Sequence, residues 1–217
     1  MVPTQGGAIA IWRKGEGPVV LMVHGWSAQH ADMAAFVTPL VGAGYKVVSI
    51  DLPAHGQSEG KLASVPDMAQ AIQAVAAAIG SIHGVIAHSV GCAAIALALK
   101  KGMQTSRVVL VTPPARYAHF VHGFSQRAGI EPDILLSALR LRDIDVDSVD
   151  LPLMTPSLHA PALVVHSKDH QVVPFANGQR IAAAWPDARL FECEGLGHKK
   201  ILSDPSVVAS AVAFFTN

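Results

Sequence analysis

Short apolar runs and longer alanine-rich stretches take turns along this chain. Val19–Val23, Lys46–Ile50, Val85–Ala87, Arg107–Val111 and Ala162–Val165 are each nearly continuous in branched aliphatic residues. Runs of that length and type suit strands covered on both faces, as in a parallel sheet with helices on either side. Between them, stretches near Ala31–Gly42, Pro66–Ile79, Gly91–Lys100 and Ala176–Trp185 read as helices. A last strand, Arg189–Cys193, precedes a closing helix from about Pro205 to Phe215, with Ser203 or Asp204 as its cap. This alternation predicts an α/β fold with a doubly wound, mostly parallel sheet, in a single domain over residues 1–217.

One interval breaks the rhythm. About fifty residues separate Val111 from Ala162, where a single crossover helix would do, and an excursion of that length is usually functional. It holds two helix-like stretches, HFVHGFSQRAG and EPDILLSALRLRDI, and then a proline-punctuated return. We expect a small helical cap at about 113–160, lying over the carboxyl edge of the sheet. A helical pair that merely decorates the surface is the alternative. Phe120, Phe124, Leu135, Leu136, Leu139 and Leu141 give the segment its apolar side chains, interspersed with Arg116, Arg127, Arg140 and Arg142. A cap this small encloses a small apolar space.

Composition narrows the classes. With 51% hydrophobic and 15% charged residues the chain is a compact folder, and 217 residues suffice for one sizeable core. Sixteen basic residues balance sixteen acidic ones without a block of either sign, so neither nucleic acid nor an anionic membrane is expected as a partner. Gln70–Leu99 carries no charge, yet Gly80-Ser81, His83-Gly84 and His88-Ser89 cut it into pieces shorter than a membrane span needs. Cys92 and Cys193 form no metal-type spacing and read as buried thiols of a reducing, cytoplasmic protein. The opening residues show no basic segment followed by an apolar one, so no signal peptide is expected. Oligomeric state is left open.

In open α/β sheets the ligand site lies beyond the carboxyl ends of the strands. Those ends carry His24-Gly25-Trp26, Asp51-Leu52-Pro53, His88-Ser89, Thr112-Pro113 and His166-Ser167-Lys168-Asp169-His170, and the last strand leads to Gly195-Leu196-Gly197-His198. In GVIAHSVGCAA a strand runs straight into Ser89, then Gly91 and a small-residue helix. That is the arrangement of a nucleophile elbow, written A-x-S-x-G here because Ala87 stands where glycine is usual. Small residues two before and two after the serine let neighbouring backbone pass close. A serine that simply caps a core helix would give the same pentapeptide.

Three further stretches decide between these. VVLMVHGW resembles the strand and oxyanion turn of the α/β-hydrolase family, IDLPAHGQSEG its D-x-P-G-x-G-x-S stretch with Ala54 for one glycine, and EGLGHKKIL its G-x-G-H block. All occur in order over nearly the whole chain, and the sequence is identified as resembling a serine hydrolase of that fold, esterase-like. The resemblance implies an acyl-enzyme mechanism on small carboxylic esters or thioesters, without cofactor or metal. Ser89 is the expected nucleophile and His198 the base that takes its proton. The backbone N–H groups of Trp26 and Val90 are the implied oxyanion donors, and Trp26 also walls the acyl pocket. His88, His24 and His55 are expected to shape backbone.

The acid departs from the pattern. After the strand at Ala162–Val165 the family reads H-x-x-x-D-x-x-V-P, and the place of the aspartate falls on His170, with Asp169 one position earlier. Either the loop shifts so that Asp169 orients His198, which is the expectation adopted, or the enzyme runs on a Ser–His pair. Two other classes compete: a hydrolase-fold ligand-binding protein with weak or no catalysis, and a metal-dependent hydrolase built on His166, Asp169, His170 and His198. The spacing of the last fits no standard zinc motif.

Overall fold

The computed structural model describes residues 1–216. Seven strands form one sheet: β1 (Ile11–Lys14), β2 (Val19–Val23), β3 (Lys46–Ile50), β4 (Ile82–His88), β5 (Arg107–Val111), β6 (Ala162–Ser167) and β7 (Ala188–Cys193). Their order across the sheet is β1-β3-β2-β4-β5-β6-β7, all parallel except β1, which runs antiparallel to β3 at one edge. The helices are α1 (Val37–Gly42), α2 (Val65–Ile79), α3 (Val90–Lys100), α4 (Tyr117–Ala128), α5 (Pro132–Arg140), α6 (Leu151–Met154), α7 (Ala176–Ala184) and α8 (Pro205–Thr216).

The period of two along the central strands divides the core into two layers. Leu21, Val23, Val48, Val85, Leu110 and Val164 pack on the side of α2 and α3. Their neighbours Val20, Met22, Val47, Ile86, Val109 and Val165 pack on the side of α8 and the segment from Met33 to Leu40. Because both faces are covered, the strands can be apolar at every position, which is why they were visible in the sequence.

Three departures from the expected elements have local causes. β1 was not expected; it is a short edge strand whose Arg13 and Lys14 are exposed, and charge there discourages further strand pairing. The stretch at 31–42 is a 3-10 helix over His30–Phe36 followed by α1, since Pro39 has no N–H to give the carbonyl of Ala35. β4 begins three residues before Val85, through His83-Gly84. Gly84 serves packing there: a Cβ on it would stand 2.4 Å from the Phe215 ring of α8.

The segment between β5 and β6 forms α4, α5 and α6. Tyr117, Val121 and Leu139 bury against the α2–α3 layer, and Phe120 and Phe124 lie edge-on to Trp26, with ring centroids 6.0 and 5.3 Å away. An ion pair from Arg142 to Asp67 of α2 at 2.8 Å ties it to the sheet layer, and Arg116 holds its two ends together through Asp150 at 3.0 Å and Asp147 at 3.7 Å. Leu141, one of the apolar side chains of this segment, is 88% exposed.

Chain order and sheet order together locate a crevice. From β2 the chain goes to β3 on one side, and then through α2 to β4 on the other. The chain leaving β2 and the chain leaving β4 therefore head to opposite sides of the sheet, and a doubly wound sheet opens its ligand crevice between such strands.

Candidate active site

Ser89 sits at that point, between the end of β4 and the start of α3, with φ 52° and ψ −126°. A residue bearing a Cβ pays about 1–3 kcal/mol for such a backbone. The surroundings impose it. The Ser89 N–H donates to the Val111 carbonyl at 2.9 Å, and its carbonyl accepts from the Cys92 N–H at 2.9 Å. The glycines beside it are steric necessities: a Cβ on Gly91 would stand 2.4 Å from the His24 carbonyl oxygen, and one on Gly25 would stand 2.9 Å from the Ser89 Cβ. The loop after β2 thus lies directly against the elbow.

Two backbone donors are free beside it. Val90 opens α3, so its N–H has no partner within the helix. Among the described residues the Trp26 N–H likewise donates to no protein group. His24 holds this loop in place: its Nε2 accepts from the Leu52 N–H at 2.9 Å, and its Nδ1 donates to the Gly25 carbonyl at 2.6 Å. Burial pushes the His24 imidazole down to about 4, so it stays neutral for this task. The Asp51 carboxylate, fully buried, accepts from the backbone N–H groups of His30 and Gln57 and shapes the neighbouring turn. His55 bonds the Pro53 carbonyl at 2.8 Å, which matches the backbone-shaping role expected for it.

His198 follows β7 and lines the same cleft as Ser89, a space of about 400 Å³ with Trp26, Phe120, Val173 and Arg127 around it. No hydrogen bond among the described residues joins Ser89 to His198, and catalytic contacts of this kind often tighten only on substrate. His88, next to the serine in sequence, turns away from it and donates from Nε2 to the His198 carbonyl at 3.1 Å. It is 2% exposed, and burial pushes it down to about 3, so it braces the His198 loop as a neutral ring. Sequence alone gave no sign of that long-range contact. Burial, and then the positive charges of Arg127 and Lys199, hold His198 itself below the usual 6.5.

The acid position is the surprise. His198 Nδ1 is hydrogen-bonded to His170 Nε2 at 2.9 Å. The structure does not bring Asp169 onto His198: its exposed carboxylate is engaged by the Ser167 hydroxyl and by the Gly195 N–H at 2.9 Å, both of which hold it below the usual carboxylate range. Chain direction explains the difference. Lys168 and Asp169 turn outward after β6, and His170 turns back in, 5% exposed, under the loop that carries His198. His166 Nε2 donates to the Val173 carbonyl at 2.9 Å and closes that turn from below. The signal was present in the sequence, since the motif count falls on position 170; that a histidine there would reach His198 was not legible.

Among the described residues no group of three or more His, Cys, Asp or Glu is arranged to hold a metal ion, and no helix is long and apolar enough to cross a membrane. Both cysteines are free; Cys92 is buried and Cys193 only partly so.

Solved structures share this architecture over most or all of their length. An esterase from Exiguobacterium antarcticum superposes with a TM-score of 0.79 at 18% identity, covering 100% of this chain and 98% of its own. A bacterial membrane phospholipase A gives 0.81 at 20% identity, covering 99% and 84%. A bromoperoxidase from Bacillus anthracis gives 0.76 at 17% identity, covering 96% and 95%. At these identities the likeness is one of fold. No curated protein matches the sequence. The profile of the alpha/beta hydrolase family matches residues 20–211, which takes in the elbow, both flanking loops and the final histidine: this chain belongs to the alpha/beta hydrolase family.

Proposed function

We propose that the protein is a serine hydrolase that cleaves small carboxylic esters or thioesters through an acyl-enzyme intermediate. The observation that carries this reading is the strained Ser89, held at φ 52° beside two free backbone donors and sharing a cleft with His198. Strain of this kind persists where it lifts a reactive group clear of the sheet. Ser89 Oγ attacks the acyl carbon while its proton passes to His198 Nε2. The Val90 and Trp26 N–H groups stabilise the oxyanion. Collapse of the tetrahedral intermediate breaks the bond to the alcohol or thiol, which takes the proton from His198. Water then releases the acid by the same steps. Asp169 serves this site by holding the loop at Gly195.

The space supports small substrates. Trp26 and Phe120 separate the cleft of about 400 Å³ from a second cavity of about 270 Å³ beneath α4 and α5. In this reading α4 and α5 act as the cap. Two unpaired thiols suit a reducing compartment such as the cytoplasm.

A second reading has its own observation. A histidine where the family places a carboxylate suits a ligand-binding protein that turns over weakly. One experiment separates the two. A fluorophosphonate probe should label the chain once, at Ser89, with labelling absent in Ser89→Ala and much slowed in His198→Ala. No labelling of the folded wild-type protein would favour the binding protein.

A further inference from the structure

His170 bonds on both sides, and the two bonds together fix where its proton sits. Its Nδ1 faces the backbone N–H groups of Val172 and Val173, at 3.2 and 2.9 Å. A backbone N–H can only donate, so His170 Nδ1 is an acceptor and bears no hydrogen. The one proton of a neutral ring is then on Nε2, and Nε2 is the atom 2.9 Å from His198 Nδ1. His198 Nδ1 must accept. Its own proton is left on Nε2.

We propose that His170 is a positioning residue that locks His198 in the tautomer with its proton on Nε2, so that the resting site shows Ser89 an N–H in place of a lone pair. A triad carboxylate does the reverse: it accepts from Nδ1–H and leaves Nε2 bare to take the serine proton. The kinetic consequence rests on the hydrolase reading above; the tautomer does not.

No simple rearrangement escapes the lock. Turning the His170 ring over puts carbon against both the backbone donors and His198. Moving its proton to Nδ1 leaves Nε2 free to accept from a His198 Nδ1–H, which is the reactive pairing. That shift exchanges one proton between the nitrogens of each ring without changing either charge. It also sets His170 Nδ1–H against two N–H donors in a place only 5% exposed, and both lose their acceptor. Leaving two such groups unpaired makes the reactive pairing rarer on the order of 100-fold. The neutral state of His170 is itself secured by burial and by the nearby His198 and His166, which hold it down to about 4 against the opposing pull of Asp169.

Side-chain reach supplies the design of a test. An aspartate at 170 would put an oxygen where Nδ1 now stands, keeping the Val172 and Val173 donors but falling short of His198. A glutamate has the same three-bond reach from Cβ as Nε2 and can only accept. We therefore expect His170→Glu to turn His198 into the Nδ1–H form and to raise the rate of acylation about 10- to 100-fold, with KM little changed.

The direct test is nitrogen NMR of the histidine-labelled full chain at neutral pH, with His170 and His198 assigned from single glutamine variants. In the wild type both rings should carry hydrogen on Nε2 and a bare Nδ1. A His198 ring with hydrogen on Nδ1 overturns the proposal, whether or not the Glu variant folds. In His170→Glu the His198 pattern should invert; a faster enzyme with an uninverted pattern also overturns it. If Ser89 refuses the fluorophosphonate while the Nε2–H pattern is found, the tautomer lock stands and the hydrolase reading falls.

Discussion

The two halves of the proposed catalytic site are made of different material. The nucleophile half is backbone: the Ser89 turn, the Val90 and Trp26 donors, and two glycines whose missing Cβ atoms let β2 and β4 loops touch. A Cβ on either glycine would collide with the neighbouring loop. The base half is side chains on loops: His198 after β7, His170 after β6, and His88 reaching from the core to a carbonyl. Its contacts are made by side-chain atoms, with His88 and His170 buried beneath the loop. On the second side an imidazole stands where the family pattern has a carboxylate, whereas on the first the positive φ of the turn and its two glycines are fixed by backbone packing.

The largest effect should come from breaking the nucleophile half. Ser89→Ala should cut ester turnover by roughly 10⁴-fold or more, measured with a chromogenic short-chain ester. Ser89→Gly should do the same while relieving the positive φ, and should be more stable than the alanine variant by about 1 kcal/mol in urea titration. Equal stability of the two would mean that the turn is not strained. Ester turnover that survives both would remove Ser89 from the mechanism.

That same contrast explains what was legible in the sequence. Parallel strands covered on both faces are rich in valine and isoleucine, so β2 to β6 stood out; β7, a partly exposed edge strand without either residue, was foreseen from its place before the closing helix, and the edge strand Ile11–Lys14, half polar, was missed. Ser89, His198, Trp26 and Val90 could be proposed as a site because their places are set by turns with their own residue signatures, and Trp26, Ser89 and His198 do line one cleft. The partner of His198 could not. Whether residue 169 or 170 points inward depends on how the loop leaves β6, and that is set by the His166–Val173 bond across the turn together with the distant contact from Gly195 to Asp169.

Acid should strike both halves together. His24, His88 and His170 are all pushed down, to about 4, 3 and 4, chiefly by burial. Each is neutral in both folded and unfolded chains above the usual 6.5. As pH falls through 6.5 the unfolded chain takes protons that the folded one refuses, so stability declines down to the folded values near 3 to 4. Urea midpoints should therefore drop steeply between pH 7 and 4. A flat profile across that window would contradict the buried neutral rings on which both halves depend.

A milder change tests how the halves share the substrate. Phe120 stands between the cleft at Ser89 and the cavity under α4 and α5. Phe120→Ala should join the two spaces and move the preferred acyl chain toward greater length, each added methylene being worth about 1–3 kcal/mol where it finds room. The readout is kcat/KM for esters from acetate to palmitate. An unchanged optimum would mean that the second cavity is not in line with the acyl group.

The smallest effect concerns charge rather than shape. Arg116 and Arg142 are spent on ion pairs that fasten the α4–α6 segment, but Arg127 has no acidic partner among the described residues and lines the cleft. Its guanidinium lies back along α4 over Gly123, where a Cβ would come within 3.2 Å of Nη1. From there its positive charge disfavours a protonated His198, adding to burial and to Lys199. Only neutral His198 can take a proton, so activity should rise with pH through a midpoint below 6.5. In Arg127→Gln that midpoint should move upward, because one of the charges opposing protonation is gone. High salt should move the wild-type midpoint in the same direction and the variant less, since salt screens an exposed charge. A midpoint that moves down, or that salt shifts equally in both proteins, would place Arg127 outside the field of the base and leave it as a surface arginine of α4.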